Sequence, residues 1–136
     1  MKYSIRIAAE EDNNTILSLF KKTSLGLNKQ VQSRETFPFD GNIVRIFLAD
    51  IGRESVGIIS ARHAEGFGLI TKLGVLPEYQ RQGIASALME EALVWLKNHG
   101  VNSTFIMVLD DNEDADQFYN SQNCNLRPLK VYRKDI

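Results

Sequence analysis

Gln80, Arg81, Gln82, Gly83, Ile84 and Ala85 stand between a run of strand-type residues ending at Val75 and an amphipathic stretch that opens at Gly83. This placement suits the binding of a diphosphate. The first N–H groups of a helix have no acceptors within it and point outward at the positive end of its dipole. Small residues in the first turn, here Gly83 and Ala85, leave those donors open, and a bulky side chain at Gly83 would obstruct the close approach of a pyrophosphate. Arg81 adds a full positive charge beside them. The loop lacks the Gly-Lys-Ser/Thr ending of a nucleotide P-loop, and no N-terminal dinucleotide fingerprint is present.

Other residues with chemical potential are less pointed. Asp110, Asp111, Glu113, Asp114 and Asp116 form an acidic run that could draw a cationic amine, although the helix dipole alone favours acids at a helix start. His63 and His99 show no metal-ligand spacing, and Cys124 is the single cysteine, so neither a metal site nor a disulfide is expected.

The elements that must carry these residues follow from the hydrophobic pattern. Tyr3 to Ile7 alternates as a strand, and Glu10-Glu11-Asp12 opens a first helix with Ile16, Leu17, Leu19 and Phe20 as its apolar stripe, ending near Gly26 and Asn28. Polar residues from Asn28 to Asp40 read as a flap over a site. Ile43 to Asp50 and Ser55 to Arg62 flank the short connection Ile51-Gly52-Arg53-Glu54 as a hairpin, and Phe67 to Val75 continues the antiparallel series. From Gly83 to His99, Ile84, Leu88, Leu93, Trp95 and Leu96 give a long helix its apolar face, with Trp95 in the core and Gly100 as the stop. Ser103 to Leu109 reads as a strand and Asp110-Asp111-Asn112 leads into a short helix with Ala115, Phe118 and Tyr119. Leu126 to Arg133 reads as a last strand. The expected fold is α/β (α+β), with a mixed, mostly antiparallel sheet flanked by helices in a single domain spanning residues 1–136.

Composition sets the outer limits. With 136 residues, 43% of them hydrophobic and 24% charged, the chain can form one packed core. A net charge of −1, from 16 basic and 17 acidic residues, supplies no field for nucleic acid. No stretch approaches the length needed to span a bilayer, and the N-terminus has no apolar signal core, so no membrane partner and a cytoplasmic location are expected.

The loop resembles the hallmark of the GNAT superfamily of acyl-CoA-dependent N-acyltransferases: Gln or Arg, two residues, Gly, any residue, then Gly or Ala. Gln80, Gly83 and Ala85 fit its fixed positions, and Leu73-Gly74-Val75-Leu76-Pro77-Glu78-Tyr79 looks like the family's strand end and turn. Asn112, Ala115 and Phe118-Tyr119 are similar to the family's next helix. Asn123-Cys124 stands where relatives commonly have Gly-Phe, and Asn can also adopt the left-handed conformation.

The resemblance implies acetyl-CoA as cosubstrate and a splay in the sheet at the cofactor-binding strand. Backbone groups near Leu73 and Val75 would hold the pantetheine arm, the amides from Gln82 to Ser86, including Gly83, Ile84 and Ala85, the pyrophosphate, and Asn112 would lie beside the pantetheine. It also implies a catalytic Tyr119 whose hydroxyl points at the thioester sulfur. No base is named, because Thr71 and Lys72 occupy positions where relatives often carry an acid; Glu35, Asp110 or a water chain remain open. The implied reaction is acetyl transfer to a primary amine of a small molecule, amino acid or peptide by direct attack in a ternary complex, with a homodimer compatible with it. A non-catalytic acyl-CoA-binding regulatory module is the alternative.

Overall fold

The computed structural model describes residues 2–23, 39, 41–108 and 113–136. A five-stranded sheet runs in chain order: β1 (Ser4–Ile7), β2 (Val44–Ile51), β3 (Glu54–Ala64), β4 (Phe67–Val75) and β5 (Thr104–Ile106). The first four strands are antiparallel neighbours, and β5 joins β4 in parallel. Among the described residues three helices accompany them: α1 (Asn13–Lys22), α2 (Ile84–Asn98) and α3 (Glu113–Ser121).

Two tight turns build the meander. Gly52, at φ +60°, turns β2 into β3, while Glu65 and Gly66, at φ +53° and +88°, turn β3 into β4. Two successive positive φ values fit a type I′ turn, whose twist matches that of the strands it joins.

Both sheet faces are covered, as the long apolar run of β3 requires: Val56, Ile58, Ile59 and Ala61 are all fully buried. A Cβ at Gly57 would lie 3.1 Å from Leu88 and 3.3 Å from Ile84, so Gly57 lets α2 settle closely on its face. Leu73 and Val75 share that face by register with Ile59 and Gly57. Lys72 and Gly74 pair with Ser60 and Ile58 on the opposite face, where the Lys72 ammonium stands 5.9 Å from the Phe20 ring of α1.

An ion-pair network anchors α1. Arg6 of β1 donates to both carboxylate oxygens of Asp12, each at 2.8 Å, and to Asp50 of β2 at 2.6 Å. Asp12 also accepts the Ala9 N–H at 2.8 Å. Glu10–Asp12 therefore forms a short 3₁₀ turn ahead of the helix rather than its first turn.

Three expectations need correction. The buried face of α2 comprises Ile84, Leu88, Met89, Ala92, Trp95 and Leu96, whereas Leu93 is exposed, because positions 88, 92 and 96 recur every four residues and 93 falls off that stripe. The fifth strand is shorter than expected. Residues 126–133 form no strand: all of residues 125–136 are exposed and none pairs with a described strand. Helix α1 ends at Lys22, with both the N–H and the hydroxyl of Thr23 bonded to the Leu19 carbonyl; Gly26 and Asn28 lie outside the described residues.

Candidate active site

The ladder between β4 and β5 covers only Gly68–Ile70, closing with Met107 N–H on the Ile70 carbonyl at 3.2 Å, while β4 continues to Val75. Among the described residues, the β5 side of residues 71–75 has no strand partner. This is the expected splay. It opens a cleft of about 550 Å³ whose walls include Leu73, Gly74 and Val75 of β4, the loop before α2, Thr23 after α1, and Tyr119 of α3.

The loop is built around two left-handed residues. Gly83, the residue preceding α2, has φ +85°, and Arg81 has φ +62°, an uncommon conformation for a residue with a Cβ. No side chain caps α2, and its first internal bond runs from Ala87 N–H to the Gly83 carbonyl. The amides of Ile84, Ala85 and Ser86 are therefore the helix's orphan donors, at the positive end of a 15-residue helix. Uncapped amides at the positive end of a helix are what an anion-binding loop requires.

Side chains fix this loop in place. Gln80 donates its amide to the Val75 carbonyl at 3.0 Å, and Gln122, just past α3, donates to the Ser86 hydroxyl at 3.1 Å. Ile84 is buried, so only its backbone faces the cleft. Leu73, Val75, Gln80, Arg81, Gly83, Ile84, Ala85, Ser86 and Tyr119 all line the cleft; Gln82 does not. Asn112, Asp110 and Glu35 lie outside the described residues.

Tyr119 is half-buried and edge-on to Phe118 at 5.2 Å. Burial, with a smaller contribution from Cys124, pushes its hydroxyl pKa up to about 12. The hydroxyl makes no hydrogen bond among the described residues. Helix α3 ends as expected: Asn123 takes φ +62°, its N–H bonds to Asn120, and Cys124 N–H bonds to the Tyr119 carbonyl at 3.0 Å, a Schellman closure.

Sequence reasoning missed Thr23, which also lines the cleft, as does Asp114 of the acidic run. Thr23 carries no motif signal and arrives through the Arg6–Asp12 anchoring of α1. Lys72 and Arg62 were missed as a pair. They share the α1 face, Lys72 two residues before Gly74, and no carboxylate among the described residues pairs with either. Burial, then the Arg62 charge, hold the Lys72 ammonium below its usual range. His63 and His99 gather around Trp95, and no metal-binding group of three ligands occurs among the described residues. None of the described helices is long and apolar enough to cross a membrane.

A splayed mixed sheet, an uncapped helix start beside the splay and a tyrosine thus meet at one cleft. The chain belongs to the acetyltransferase (GNAT) family, whose model matches residues 6–123. It is an enzyme that uses acetyl-CoA to acetylate an amine.

Solved structures share the fold across the whole chain. AAC(6')-Iy in complex with a bisubstrate analogue, CoA-S-monomethyl-acetylneamine, is 15% identical with a TM-score of 0.77 and 100% of both chains covered. The ribosomal-protein-alanine N-acetyltransferase from Brucella melitensis biovar Abortus 2308 is 13% identical, with a TM-score of 0.77 and 100% of both chains covered. The aminoglycoside antibiotic 6'-N-acetyltransferase AAC(6')-IG from Acinetobacter haemolyticus is 19% identical, with a TM-score of 0.74 and 98% of each chain covered.

Proposed function

We propose that this cleft acetylates the primary amine of a small molecule, amino acid or peptide that also carries a carboxylate, by direct attack in a ternary complex with Tyr119 as the acid. The carrying observation is that the unpartnered Tyr119 hydroxyl and the uncapped amides of Ile84, Ala85 and Ser86 line one cleft. The amides and Arg81 suit the pyrophosphate, and the open edge of β4 from Leu73 to Val75 suits the amide-bearing pantetheine as an added strand. Asn112 is assigned beside the pantetheine and Gln82 to the loop backbone. Bound acetyl-CoA supplies an acetyl carbonyl activated by its bond to sulfur.

At neutral pH Tyr119 holds its proton, since its pKa is raised to about 12. As the amine nitrogen bonds to the carbonyl carbon and the carbon–sulfur bond breaks, Tyr119 donates toward sulfur while the proton shed by the amine replaces it. A backbone N–H near Val75 is assigned to polarise the carbonyl. No described side chain is assigned as the base.

The acceptor class rests on the α1 face of the sheet, where Lys72 directly precedes the cleft residues Leu73 and Gly74, although neither Lys72 nor Arg62 itself lines the cleft. A half-buried ammonium and a guanidinium without carboxylate partners favour a ligand that brings its own negative charge. Aminoglycosides, named for the similar AAC(6')-IG, bring further positive charge and suit this face poorly. Asp114, on the α3 wall, suits the amine end of the same acceptor. A single cytoplasmic domain without nucleic-acid or membrane partners, acting as a homodimer, completes the reading; the continuous core among the described residues supports the single domain, and the near-neutral charge supports the lack of a nucleic-acid partner.

The test compares CoA release with amino acids against release with their carboxamides. The acids are expected to show kcat/KM roughly 10- to 100-fold higher, the scale of a charge-assisted contact, and Lys72→Met to remove the difference. Equal rates for both, or a preference for aminoglycosides, would overturn the acceptor assignment.

A further inference from the structure

The helix that carries Tyr119 is lightly held. None of the residues of α3 is fully buried, and its inner side is a half-buried stripe of Ala115, Phe118, Tyr119 and, just past its end, Gln122. Their spacing of i, i+3, i+4 and i+7 is that of one helix face. Packing alone asks for an apolar fourth member, and here an amide stands in its place. Gln122 Nε2 donates to Ser86 Oγ of α2 at 3.1 Å. Among the described residues no other side-chain hydrogen bond and no ion pair joins α3 or the turn after it to another element.

Both ends of this bond sit at working parts of the cleft. The Gln122 N–H bonds to the Phe118 and Tyr119 carbonyls, each at 3.1 Å, so its backbone moves with that of Tyr119. Ser86 is the third residue of α2; its amide is one of the orphan donors, and it lines the cleft. The Ser86 hydroxyl accepts from Gln122 and donates to no group among the described residues, which leaves its proton for an anion at the helix start. A hydroxyl that accepts one hydrogen bond donates a stronger one.

We infer that Gln122 is a positioning residue for acetyl transfer, fixing the Tyr119 end of α3 to the turn of α2 assigned to the pyrophosphate. The inference rests on the reading of Tyr119 as the acid. Gln122 does not itself line the cleft, so it acts through the residues it joins. The pyrophosphate seats on Ser86 at one end of the cofactor. The Gln122 bond carries that position to Tyr119, whose proton goes to the sulfur at the other end.

The test is a cycle of Gln122→Met against Tyr119→Phe, each variant assayed for kcat and for the KM of acetyl-CoA. Methionine keeps the length of the side chain and removes the donor. Gln122→Met alone is expected to lower kcat roughly 10- to 100-fold, the scale of a displaced catalytic group. The KM is expected to stay within about 2-fold, the pattern of an interaction that counts only in the transition state. In the Tyr119→Phe background the same substitution is expected to cost no further kcat, because the two residues act as one unit. Ser86→Ala reads the bond from its other end: it is expected to lower kcat in the parent and to add nothing further to the kcat loss in Gln122→Met. A parent-like kcat for Gln122→Met, or an equal fall with and without the Tyr119 hydroxyl, would overturn the inference and leave the acid role standing. A parent-like kcat for Tyr119→Phe would overturn both.

Discussion

The Gln80 side-chain amide donates to the Val75 carbonyl at 3.0 Å, tying the turn before α2 to the end of the strand that lines the cleft. The first residue of the hallmark thus acts on the protein itself. It sets the distance between two backbone surfaces, the β4 edge and the α2 amides, that line the same cleft.

Gln80→Ala is therefore expected to act through position. Losing one such bond costs about 1 kcal/mol of stability, and a matching loss of binding raises the KM for acetyl-CoA about 5-fold. A kcat measured at saturating acetyl-CoA should stay near that of the parent. A fall in kcat with unchanged KM would contradict the positioning role.

Arg81 pays in strain for its charge. At φ +62° a side chain costs about 1–2 kcal/mol relative to glycine, partly offset by the flexibility glycine gives the unfolded chain. Arg81→Gly is expected to raise the melting temperature while weakening acetyl-CoA binding. Gly83→Ala, at φ +85°, is expected to lower both stability and binding, since its Cβ would be strained although only the Tyr3 hydroxyl, at 3.8 Å, lies near it. Thermal melts with and without acetyl-CoA separate the two effects.

Tyr119→Phe keeps the ring packed against Phe118 and removes only the hydroxyl. The expected result is a kcat about 100- to 10,000-fold lower with acetyl-CoA affinity retained. The raised pKa carries its own signature. The protonated tyrosine is favoured in the folded state, so its contribution to stability is full below about 10 and lost as pH rises toward about 12. Denaturation at pH 9 and at pH 11 should show a smaller change for Tyr119→Phe than for the parent.

At the acid end the Arg6–Asp12 pair sets the pH dependence. The Arg6 hydrogen bonds, with that of Ala9, hold the Asp12 carboxyl below its usual value of 3.8 against the opposing effect of burial. Its contribution is present above that value and lost as pH falls through the lowered pKa. Asp12→Asn is expected to cost about 1–2 kcal/mol at neutral pH, discounted for the partly exposed Arg6, and to flatten the acid limb of the stability profile.

The loop before α2 was legible because its signal is local: a glycine, a short side chain and a helix start lie within six residues, and the left-handed Gly83 and Asn123 are conformations their residue types accept. Long-range pairing was less accessible. Nothing in the alternation of β4 announces that Thr71 is an extra residue opposite the step from Ser60 to Ala61. That bulge puts Leu69 and Lys72 on one face and brings Lys72 beside Arg62. Likewise Asp12 reads as a helix-start acid until Arg6 is seen to reach it. Residues 126–133 have strand composition, but a strand exists only where an edge receives it, and this chain's own sheet does not.

Acceptor-dependent release of CoA from acetyl-CoA, followed as free thiol across a panel of amines, tests the central claim most directly. An acetyltransferase built on this cleft releases thiol only when an amine is supplied, in proportion to N-acetyl product, and the Tyr119→Phe variant loses that release while still binding acetyl-CoA. Tight acetyl-CoA binding with no amine-dependent thiol across the panel would contradict catalysis and leave a binding module.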